Sequence, residues 1–395
     1  MSEWKKVKLG EISQTIQTGP FGSQLHQSDY SVIGIPVVMP KDIIAGNIEE
    51  ASIARVEQHH IDRLSRHMIS YGDILYARRG DVGKCAFTKQ NQEGWLCGTG
   101  CLRVTINPDM ANPKFVFFQL QKQETLGWIT NHAIGSTMLN LNTTILSNAP
   151  VEIPSLRIQN RIVEILSRYD SLIENYQKQI KLLEEAAQRL YKEWFIDLRF
   201  PGHENIKIVD GVPEGWEKKK LIDLVDVQYG YAFDGHLFNS KEEGTPIVRI
   251  RNIPDGYTND YTTEEANESY IINDGDILVG MDGIFHINTW SGGKAFLVQR
   301  ACSFRPKDDS MKGFILQAIY EPIKFFENTV VGATVAHLGK KHIDSIELLV
   351  SKNVSLYKPF EKKFNERQTL KSQLRLLTEA RDRLLPKLMS GEIEI

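Results

Sequence analysis

The 395-residue sequence contains no run of about 18 apolar residues, the length that a membrane-spanning helix requires. The first residues, MSEWKKVKLG, lack the apolar stretch of a secretory signal peptide. Only four cysteines occur, and no second Cys/His pair accompanies Cys97 and Cys101 at the spacing of a zinc site. These absences predict a cytoplasmic protein with reduced thiols, no contact with a membrane and no structural metal.

Motifs of the common reaction classes are also missing. The sequence has no Asn/Asp-Pro-Pro-aromatic segment for methyl transfer to an amino group, no glycine-rich loop for a methyl donor and no Gly-x4-Gly-Lys-Ser/Thr loop for phosphates. The histidines of EQHHIDRLSRH (57–67) lack a Glu-x-x-His context, and there is no GxSxG elbow. The pattern favours a binding protein over an enzyme, with no catalytic residue, metal site or cofactor of its own.

Charge is distributed unevenly along the chain. The net charge of −3 argues against a protein that coats nucleic acid by bulk attraction. Residues 1–150 have a balance of +1, whereas residues 210–345 have a balance of −7. Any contact with phosphate groups must therefore come from a local patch, or from a partner that supplies most of the positive charge.

Short segments recur in the same order in both halves of the chain. One short match could be chance, whereas an ordered series with a steadily shrinking offset indicates internal duplication. The second copy is the shorter one, which predicts shorter surface loops between the matches. The matches are WKKVKL (4–9) with WEKKKL (216–221), QTG (17–19) with QYG (228–230), GDIL (72–75) with GDIL (275–278), NHAIGSTMLNL (131–141) with NTVVGATVAHL (328–338), and LLxxAxxRL (182–190) with the same pattern at 376–384.

Each copy predicts an α+β domain rich in β-structure, followed by a long helix. Short β-type runs such as GIPVVMP, GDILYA and TPIVRI are bounded by turn residues. The predicted segments are a first β-rich domain at 1–154, a central helix at 155–200, a second β-rich domain at 201–351 and a distal helix at 352–395.

The central helix has an apolar stripe that repeats every 3.5 residues, which is typical of a coiled coil. We expect the two long helices to pair as an antiparallel coiled coil, although packing of each helix against its own domain is the alternative. In the distal helix the stripe has basic interruptions at Lys363, Arg367 and Arg381, and Pro386 should kink or end the helix early. The predicted coiled-coil positions include Ile162, Leu166, Tyr169, Ile173, Tyr176, Ile180, Leu183, Leu190, Leu370, Leu374, Leu377 and Leu384.

Several quoted segments together resemble a known family. The segments are WKKVKLGEI with TGPFGSQLH, GIPVVMPKDI, YGDILYARRGDVGKCAF with GWLCGTGCLR, and GSTMLNLN with VEIPSLRIQNRIVEIL. They resemble the specificity subunit of type I restriction–modification systems, and the resemblance covers essentially the whole chain. The second copy departs from the pattern in IELLVSKNVSLYKP, which lacks the family's Ile-Pro…Gln arrangement, so the start of the distal helix and its partner contacts are less well matched.

This resemblance implies a subunit without catalytic activity in a system that defends against foreign DNA. Each β-rich target-recognition domain would read one half of an asymmetric, bipartite site in double-stranded DNA. The paired helices would act as a ruler and as the dock for two adenine-N6 methyltransferase subunits, which use S-adenosylmethionine. Two translocase–endonuclease subunits, which use ATP and Mg, would complete a restriction enzyme, and a methylation-only system stays open.

The resemblance makes polar loop residues of both copies candidates for DNA contact. Arg78 and Arg79, which follow the first GDIL, could bind guanine or phosphate, or form a surface pair with Asp73 or Asp81. The further candidates in the first copy are Thr18, Ser23, Gln24 and His26 of TGPFGSQLH, Lys41 and Lys84.

In the second copy, Arg249 and Arg251 of VRIRNI are two residues apart, which predicts one face of a strand. Asp282 cannot hold a phosphate, but it could accept a hydrogen bond from a cytosine amino group or be a turn residue. The further candidates are Tyr229, Tyr231 and His286, which could equally be core residues, and Lys340 and Lys341.

Two other classes of function remain as alternatives. A scaffold protein could use duplicated protein-binding domains separated by a coiled coil, without any effect on DNA. An enzyme with an unrecognised site, such as a nuclease, would show metal-dependent activity in the isolated chain.

We expect DNA binding by the isolated chain to depend only weakly on salt concentration. The second copy is acidic, so partner subunits would neutralise most of the phosphates and release most of the counterions. The measurement is the dissociation constant from fluorescence anisotropy over a series of salt concentrations. A steep dependence would show that this chain neutralises many phosphates by itself.

Overall fold

The computed structural model describes residues 4–135, 139–329 and 336–395. The chain forms two compact units, each of which contains the β-rich domain of one copy of the repeat. Unit 1 comprises Met1–Tyr169 with Arg381–Ile395, and unit 2 comprises Asp170–Ala380. Each unit therefore includes the beginning of one long helix and the end of the other.

Unit 1 contains three main sheets and one short hairpin. Its hydrophobic core lies between the larger antiparallel sheet and the helices. The strands are Lys5–Lys8 with Pro150–Ile153, then Ser13–Thr18, Cys101–Ile106, Ile74–Ala77 and Cys85–Phe87 in that spatial order, then Leu96–Cys97, Ile35–Val38, Ala54–Val56 and Tyr30–Ser31 in that order, and the hairpin Ile43–Ile44 with Asn47–Ile48.

Unit 2 repeats these three sheets with the corresponding strands in the corresponding places. The sheet that contains Thr245–Val248 has a fifth strand, Ile271–Ile272, which its counterpart in unit 1 lacks. The strands are Trp216–Lys220 with Glu347–Ser351, then Val225–Tyr229, Ala301–Pro306, Ile277–Gly280 and Ile287–Thr289, then Phe238–Asn239, Tyr261–Thr262, Thr245–Val248, Ala295–Leu297 and Ile271–Ile272, and the hairpin Ile208–Val209 with Val212–Pro213.

Three short α-helices recur in the same order in the two units. In each unit they contribute to the core of the four-stranded antiparallel sheet, whereas Gln58–Arg63 packs with the other sheet of unit 1 and has no α-helical counterpart in unit 2. The helices are Gln58–Arg63, Pro113–Leu120, Gln123–His132, Thr143–Ser147, the central helix Leu156–Tyr191, then Leu221–Leu224, Lys312–Ala318, Tyr320–Thr329, Lys340–Asp344 and the distal helix Lys358–Ser390.

The repeated GDIL segment forms the same turn and strand in both units. Gly72 and Gly275 both have a φ of 87°, a backbone conformation that favours glycine. The carboxylate of Asp73 accepts a hydrogen bond from the N–H of Ser70 at 2.8 Å, and Asp276 is bonded in the same way to the N–H of Asn273 at 2.9 Å. The repeat is therefore a scaffold for the sheet. The repeat match at 131–141 and 328–338 lies partly outside the described residues.

An arginine on the neighbouring strand pairs with each of these aspartates. Arg103 lies 3.7 Å from Asp73 and Arg305 lies 2.6 Å from Asp276. Burial raises the pKa of the Asp73 carboxyl, while the Thr105 hydroxyl, the Ser70 N–H and Arg103 oppose that rise. The pairing explains why the aspartate recurs with its strand, since a buried carboxylate needs these partners.

The two long helices pair in opposite directions, as predicted. Within unit 2, Glu184 Oε1 lies 2.6 Å from Arg367 Nη2, and the Trp194 ring meets the Phe360 ring edge-on with centroids 6.1 Å apart. As the central helix advances from 184 to 194, its partner runs from 367 back to 360, so the pair is antiparallel. A π-helical turn, Lys192–Ile196, follows the central helix.

The predicted apolar stripe faces inward in both helices. In unit 1, Ile162 and Leu166 belong to the same hydrophobic core as Leu388 and Met389. Every position of the predicted coiled-coil stripe is buried or half-buried: Ile162, Leu166, Tyr169, Ile173, Tyr176, Ile180, Leu183, Leu190, Leu370, Leu374, Leu377 and Leu384.

Pro386 does not end the distal helix early, so that alternative of the prediction is wrong. The helix continues through Pro386 to Ser390. A proline inside a helix removes one backbone hydrogen bond and costs about 3 kcal/mol. Here Leu388 and Met389 are buried in the core of unit 1, and the Gln119 side chain donates to the carbonyl of Met389 at 3.2 Å. Packing of the last turn offsets the cost of the proline.

Basic residues of the distal helix bind Ile287–Thr289, the edge strand of the four-stranded sheet in unit 2. Arg367 is 8% exposed and donates to Thr289 Oγ1 at 2.6 Å and Asn288 Oδ1 at 2.8 Å. Lys371 donates to the same Asn288 oxygen at 2.9 Å. Burial lowers the pKa of Lys371 well below its usual value, and the charge of Arg367 lowers it further, while Glu184 opposes both effects.

We expect an Arg367→Ala variant to unfold at a clearly lower urea concentration than the wild type. Loss of the guanidinium leaves Glu184 and the buried hydroxyl of Thr289 without this partner, at a cost of about 2–4 kcal/mol. The matched control is Arg189→Ala, whose exposed pair with Glu185 contributes about 0.5 kcal/mol or less. Equal unfolding midpoints for the two variants would show that the Arg367 contacts do not stabilise the unit.

Candidate nucleic-acid interface

Three chain segments meet at one place in unit 1, which we call junction 1: residues 19–21, 78–80 and 98–100. The N–H of Gly19 donates to the carbonyl of Cys101 at 2.9 Å, and the N–H of Arg78 donates to the carbonyl of Gly100 at 2.8 Å. The carbonyl of Arg78 accepts from the N–H of Leu141 at 2.8 Å. These backbone hydrogen bonds therefore fix the positions of the main-chain atoms from which the loop side chains extend.

Unit 2 contains the equivalent junction 2, formed by residues 230–231, 281–283 and 298–300. The N–H of Gly230 donates to the carbonyl of Ala301 at 3.1 Å, and the N–H of Met281 donates to the carbonyl of Arg300 at 2.8 Å. The carbonyl of Met281 accepts from the N–H of Leu338 at 2.7 Å. The three hydrogen bonds correspond one by one to those of junction 1.

A glycine stands at the crossing of two backbones in each junction. A Cβ added at Gly19 would overlap the carbonyl oxygen of Gly98, and a Cβ added at Gly230 would overlap the carbonyl oxygen of Val298. No side chain fits between backbones that approach so closely. The recurrence of glycine in QTG and QYG therefore has a steric cause.

The two arginines of junction 1 do not pair with the nearby aspartates. Arg78 is half-buried and its guanidinium lies over the Phe21 ring, 6.0 Å from the centroid, while Arg79 is exposed. Asp73 pairs with Arg103, and Asp81 pairs with Lys84 at 3.4 Å. Among the described residues no carboxylate pairs with Arg78 or Arg79, so the predicted alternative of a surface ion pair is wrong.

Other candidates of the first copy surround the loop after Gly19. Thr18 ends a strand beside junction 1, and Ser23 and His26 are exposed. Gln24 Oε1 accepts from the N–H of Phe21 at 3.1 Å, which closes the loop on itself. Lys41 is bound to Asp42 at 2.8 Å and to a backbone carbonyl, so its charge is already paired. Lys84 keeps about half of its side chain exposed beside Asp81.

Junction 2 carries a charged cluster that differs from junction 1. The carboxylate of Asp282 lies 3.0 Å from Arg300 Nη1 through one oxygen and 2.5 Å from His337 Nδ1 through the other. Sequence reasoning selected Asp282 but missed Arg300 and His337. The signal in the sequence was the segment LVQRA (297–301), which corresponds to CGTGC (97–101) of the first copy. In this segment Arg300 stands at the position of Gly100.

Arg249 and Arg251 do not share a strand face, so that prediction is wrong. The strand Thr245–Val248 ends first, and Arg251 lies in a 3-10 turn, Ile250–Asn252. The Asn252 side chain accepts from the N–H of Arg249 at 2.9 Å and stabilises this turn. The Arg249 guanidinium lies 5.5 Å from the centroid of the Phe238 ring. Arg251 is bound to both carboxylate oxygens of Asp260, each at 2.7 Å.

The aromatic candidates of the second copy are half-buried around Gly230. Burial raises the pKa of Tyr229 to about 12, so its hydroxyl stays protonated at neutral pH. The ring of Tyr231 lies 4.8 Å from that of Phe233 and 5.0 Å from that of Tyr270, which favours packing over base contact. His286 is half-buried, and Lys340 and Lys341 are exposed at the start of a short helix.

No group of three or more His, Cys, Asp or Glu side chains among the described residues could hold a metal ion. All four cysteines are buried and free, and burial raises the pKa of Cys85 and of Cys97 to about 12. None of the helices in the described part of the chain is long and apolar enough to cross a membrane.

Comparison with known proteins assigns the family. The family model described as "Type I restriction modification DNA specificity domain" matches residues 1–185 and 213–351. This chain belongs to that family. The first region covers the β-rich domain and most of the central helix, and the second covers the β-rich domain of the second copy but not the distal helix, so the resemblance is confirmed for both β-rich domains.

Members of the specificity family resemble the chain over its whole length. The "Type I restriction enzyme MjaIX specificity subunit" of Methanocaldococcus jannaschii is 27% identical, over 100% of this chain and 94% of its own. The "Type I restriction enzyme HindI specificity subunit" of Haemophilus influenzae is 21% identical over 100% of both chains. The crystal structure of the type I restriction–modification S subunit from M. genitalium has a TM-score of 0.63 at 16% identity, covering 98% of this chain and 96% of that chain, which shows the same fold.

We expect a Gly19→Ala variant to destabilise unit 1 by about 1–3 kcal/mol, because its methyl group would overlap the backbone carbonyl of Gly98. The control is Gly22→Ala in the same loop, where a Cβ meets no atom within 4 Å. Thermal unfolding measures the difference between the variants. An unchanged midpoint for Gly19→Ala would mean that the two backbones separate without cost.

Proposed function

We propose that this chain is the DNA specificity subunit of a type I restriction–modification complex, and that each junction reads one half of a bipartite site. The observation that supports the proposal is the pair of junctions with matching backbone hydrogen bonds and different side chains. The family match covers the residues of both junctions.

A shared backbone with different side chains suits the reading of two different half-sites. Both junctions place the residue after the GDIL strand against a turn carbonyl, so side chains of the two copies start from equivalent positions. Junction 1 then presents Arg78 and Arg79, whereas junction 2 presents Asp282 and Arg300. Because base edges are distinguished by their donor and acceptor pattern, different side chains at equivalent positions select different bases.

The chain itself performs no chemistry in this proposal. The paired long helices fix the spacing of the half-sites and dock two adenine-N6 methyltransferase subunits, which bind S-adenosylmethionine. Two translocase–endonuclease subunits that use ATP and Mg join where the system also restricts DNA. The balance of −7 over residues 210–345 leaves most of the phosphate attraction to these partners.

The deciding experiment is to co-express this chain with the adjacent methyltransferase subunit in a methylation-free host and to map N6-methyladenine across the genome. We expect a split motif with two defined halves and an unspecified spacer of constant length. Absence of methylation from a complex that assembles in solution would contradict the proposal and favour the scaffold alternative.

In the same assay, Arg78→Ala should alter one half of the motif only. If Arg78 contacts a base, the variant loses about 1–3 kcal/mol of discrimination at one position, while a phosphate contact would weaken methylation equally at all sites. The control is Arg63→Ala, which removes an exposed arginine from a short helix of the same unit. Identical motifs and rates for both variants would exclude Arg78 from the interface.

A further inference from the structure

Arg300 occupies a backbone position that belongs to a glycine in the other copy. Its φ is 68°, in the left-handed region, and the equivalent Gly100 has a φ of 88°. The carbonyls of both residues accept the equivalent hydrogen bond, from the N–H of Met281 and of Arg78 respectively. Side chains other than glycine adopt this conformation infrequently, and such outliers concentrate at functional sites.

The arginine at this hydrogen-bonded pair comes from a different chain segment in each junction. In junction 1, Arg78 faces Gly100 across the backbone hydrogen bond, and in junction 2, Met281 faces Arg300 across the same bond. Each junction therefore has one arginine at this hydrogen-bonded pair, supplied from opposite segments. Gly100 satisfies the same backbone position, so the scaffold does not require the arginine, and its side chain is available for a ligand.

The Arg300 side chain is oriented and still accessible. Its side chain is 68% exposed, whereas the Asp282 side chain that binds its Nη1 is 18% exposed. Asp282 holds a second partner, His337, through its other oxygen. A guanidinium carries five N–H donors in a planar fork, so one contact with a carboxylate leaves an edge for a planar acceptor pair.

We propose that Arg300 is a specificity-determining residue of the second half-site and reads a guanine, with Asp282 as its positioning residue. Guanine presents two adjacent acceptors, O6 and N7, in the major groove, and this pair matches the guanidinium fork. In this proposal Asp282 orients Arg300 rather than accepting from a cytosine amino group, since each of its oxygens has a protein partner and its side chain is only 18% exposed. The inference rests on the proposed function and deepens it.

Three variants test this reading by methylation mapping of the assembled complex. Arg300→Gly reproduces the residue of the first copy and suits the left-handed backbone, so it should fold at least as well as the wild type. Arg300→Lys keeps the charge but not the planar fork. Asp282→Asn keeps the shape of the side chain but weakens its hold on the arginine. The control is Lys294→Ala, an exposed cation at the opposite end of the strand Ala295–Leu297.

We expect Arg300→Gly and Arg300→Lys both to relax the motif at one guanine in a single half, by roughly tenfold or more in relative methylation of the matched over the mismatched base. Asp282→Asn should relax the same position less, which a purely structural role would not do. In the Arg300 and Asp282 variants, the half of the motif that Arg78→Ala alters should remain unchanged. The Lys294→Ala control should leave the whole motif unchanged.

Other outcomes overturn the inference. Arg300 would be identified as a phosphate contact by two results together. Arg300→Lys would preserve the motif, and Arg300→Gly would weaken methylation equally at every site. If the wild-type split motif has no guanine in that half, Arg300 does not read a base. The same conclusion follows if none of the three variants changes the motif. Either result leaves the proposed function intact. Failure of the proposed function looks different, because the wild type would then yield no split motif at all.

Discussion

The backbone hydrogen bond between the residue after the GDIL strand and the turn that faces it organises both junctions. It joins Arg78 to Gly100 in unit 1 and Met281 to Arg300 in unit 2. The bond involves main-chain atoms alone, so the side chains at its ends can change without loss of the frame. The Asp–Arg pairs behind it, Asp73 with Arg103 and its counterpart in unit 2, hold the strand that carries it.

The long helices depend on a different balance of forces. Their stripe is apolar where it faces a core, but the distal helix inserts Arg367 and Lys371 against the edge strand of unit 2. A nearly buried arginine is costly unless its donors are satisfied, and here carboxylate, amide and hydroxyl oxygens accept them. At Arg367 the basic interruption of the heptad pattern is therefore a contact with the domain rather than a defect of the coil.

The sequence predicted the fold well wherever the signal was local or repeated. The order of matches from WKKVKL to LLxxAxxRL predicted two copies of one domain, and the three sheets of unit 1 recur in unit 2, where one of them has an additional strand. Prediction failed where tertiary contacts outweighed a local rule. Pro386 stays inside a helix because the last turn packs into a core, and the strand before Arg249 ends early because the Asn252 side chain bonds to the backbone.

The sequence by itself determined the duplication, the two long helices and the family, because these depend on periodicity, order and composition along the chain. Only the tertiary structure decided which residues meet at the junctions. Asp282 and His337 are 55 residues apart in the chain, and no local pattern links them or predicts that Arg300 joins them. A binding surface assembled from separate loops is set by the packing of sheets beneath it, and that packing is a property of the whole unit.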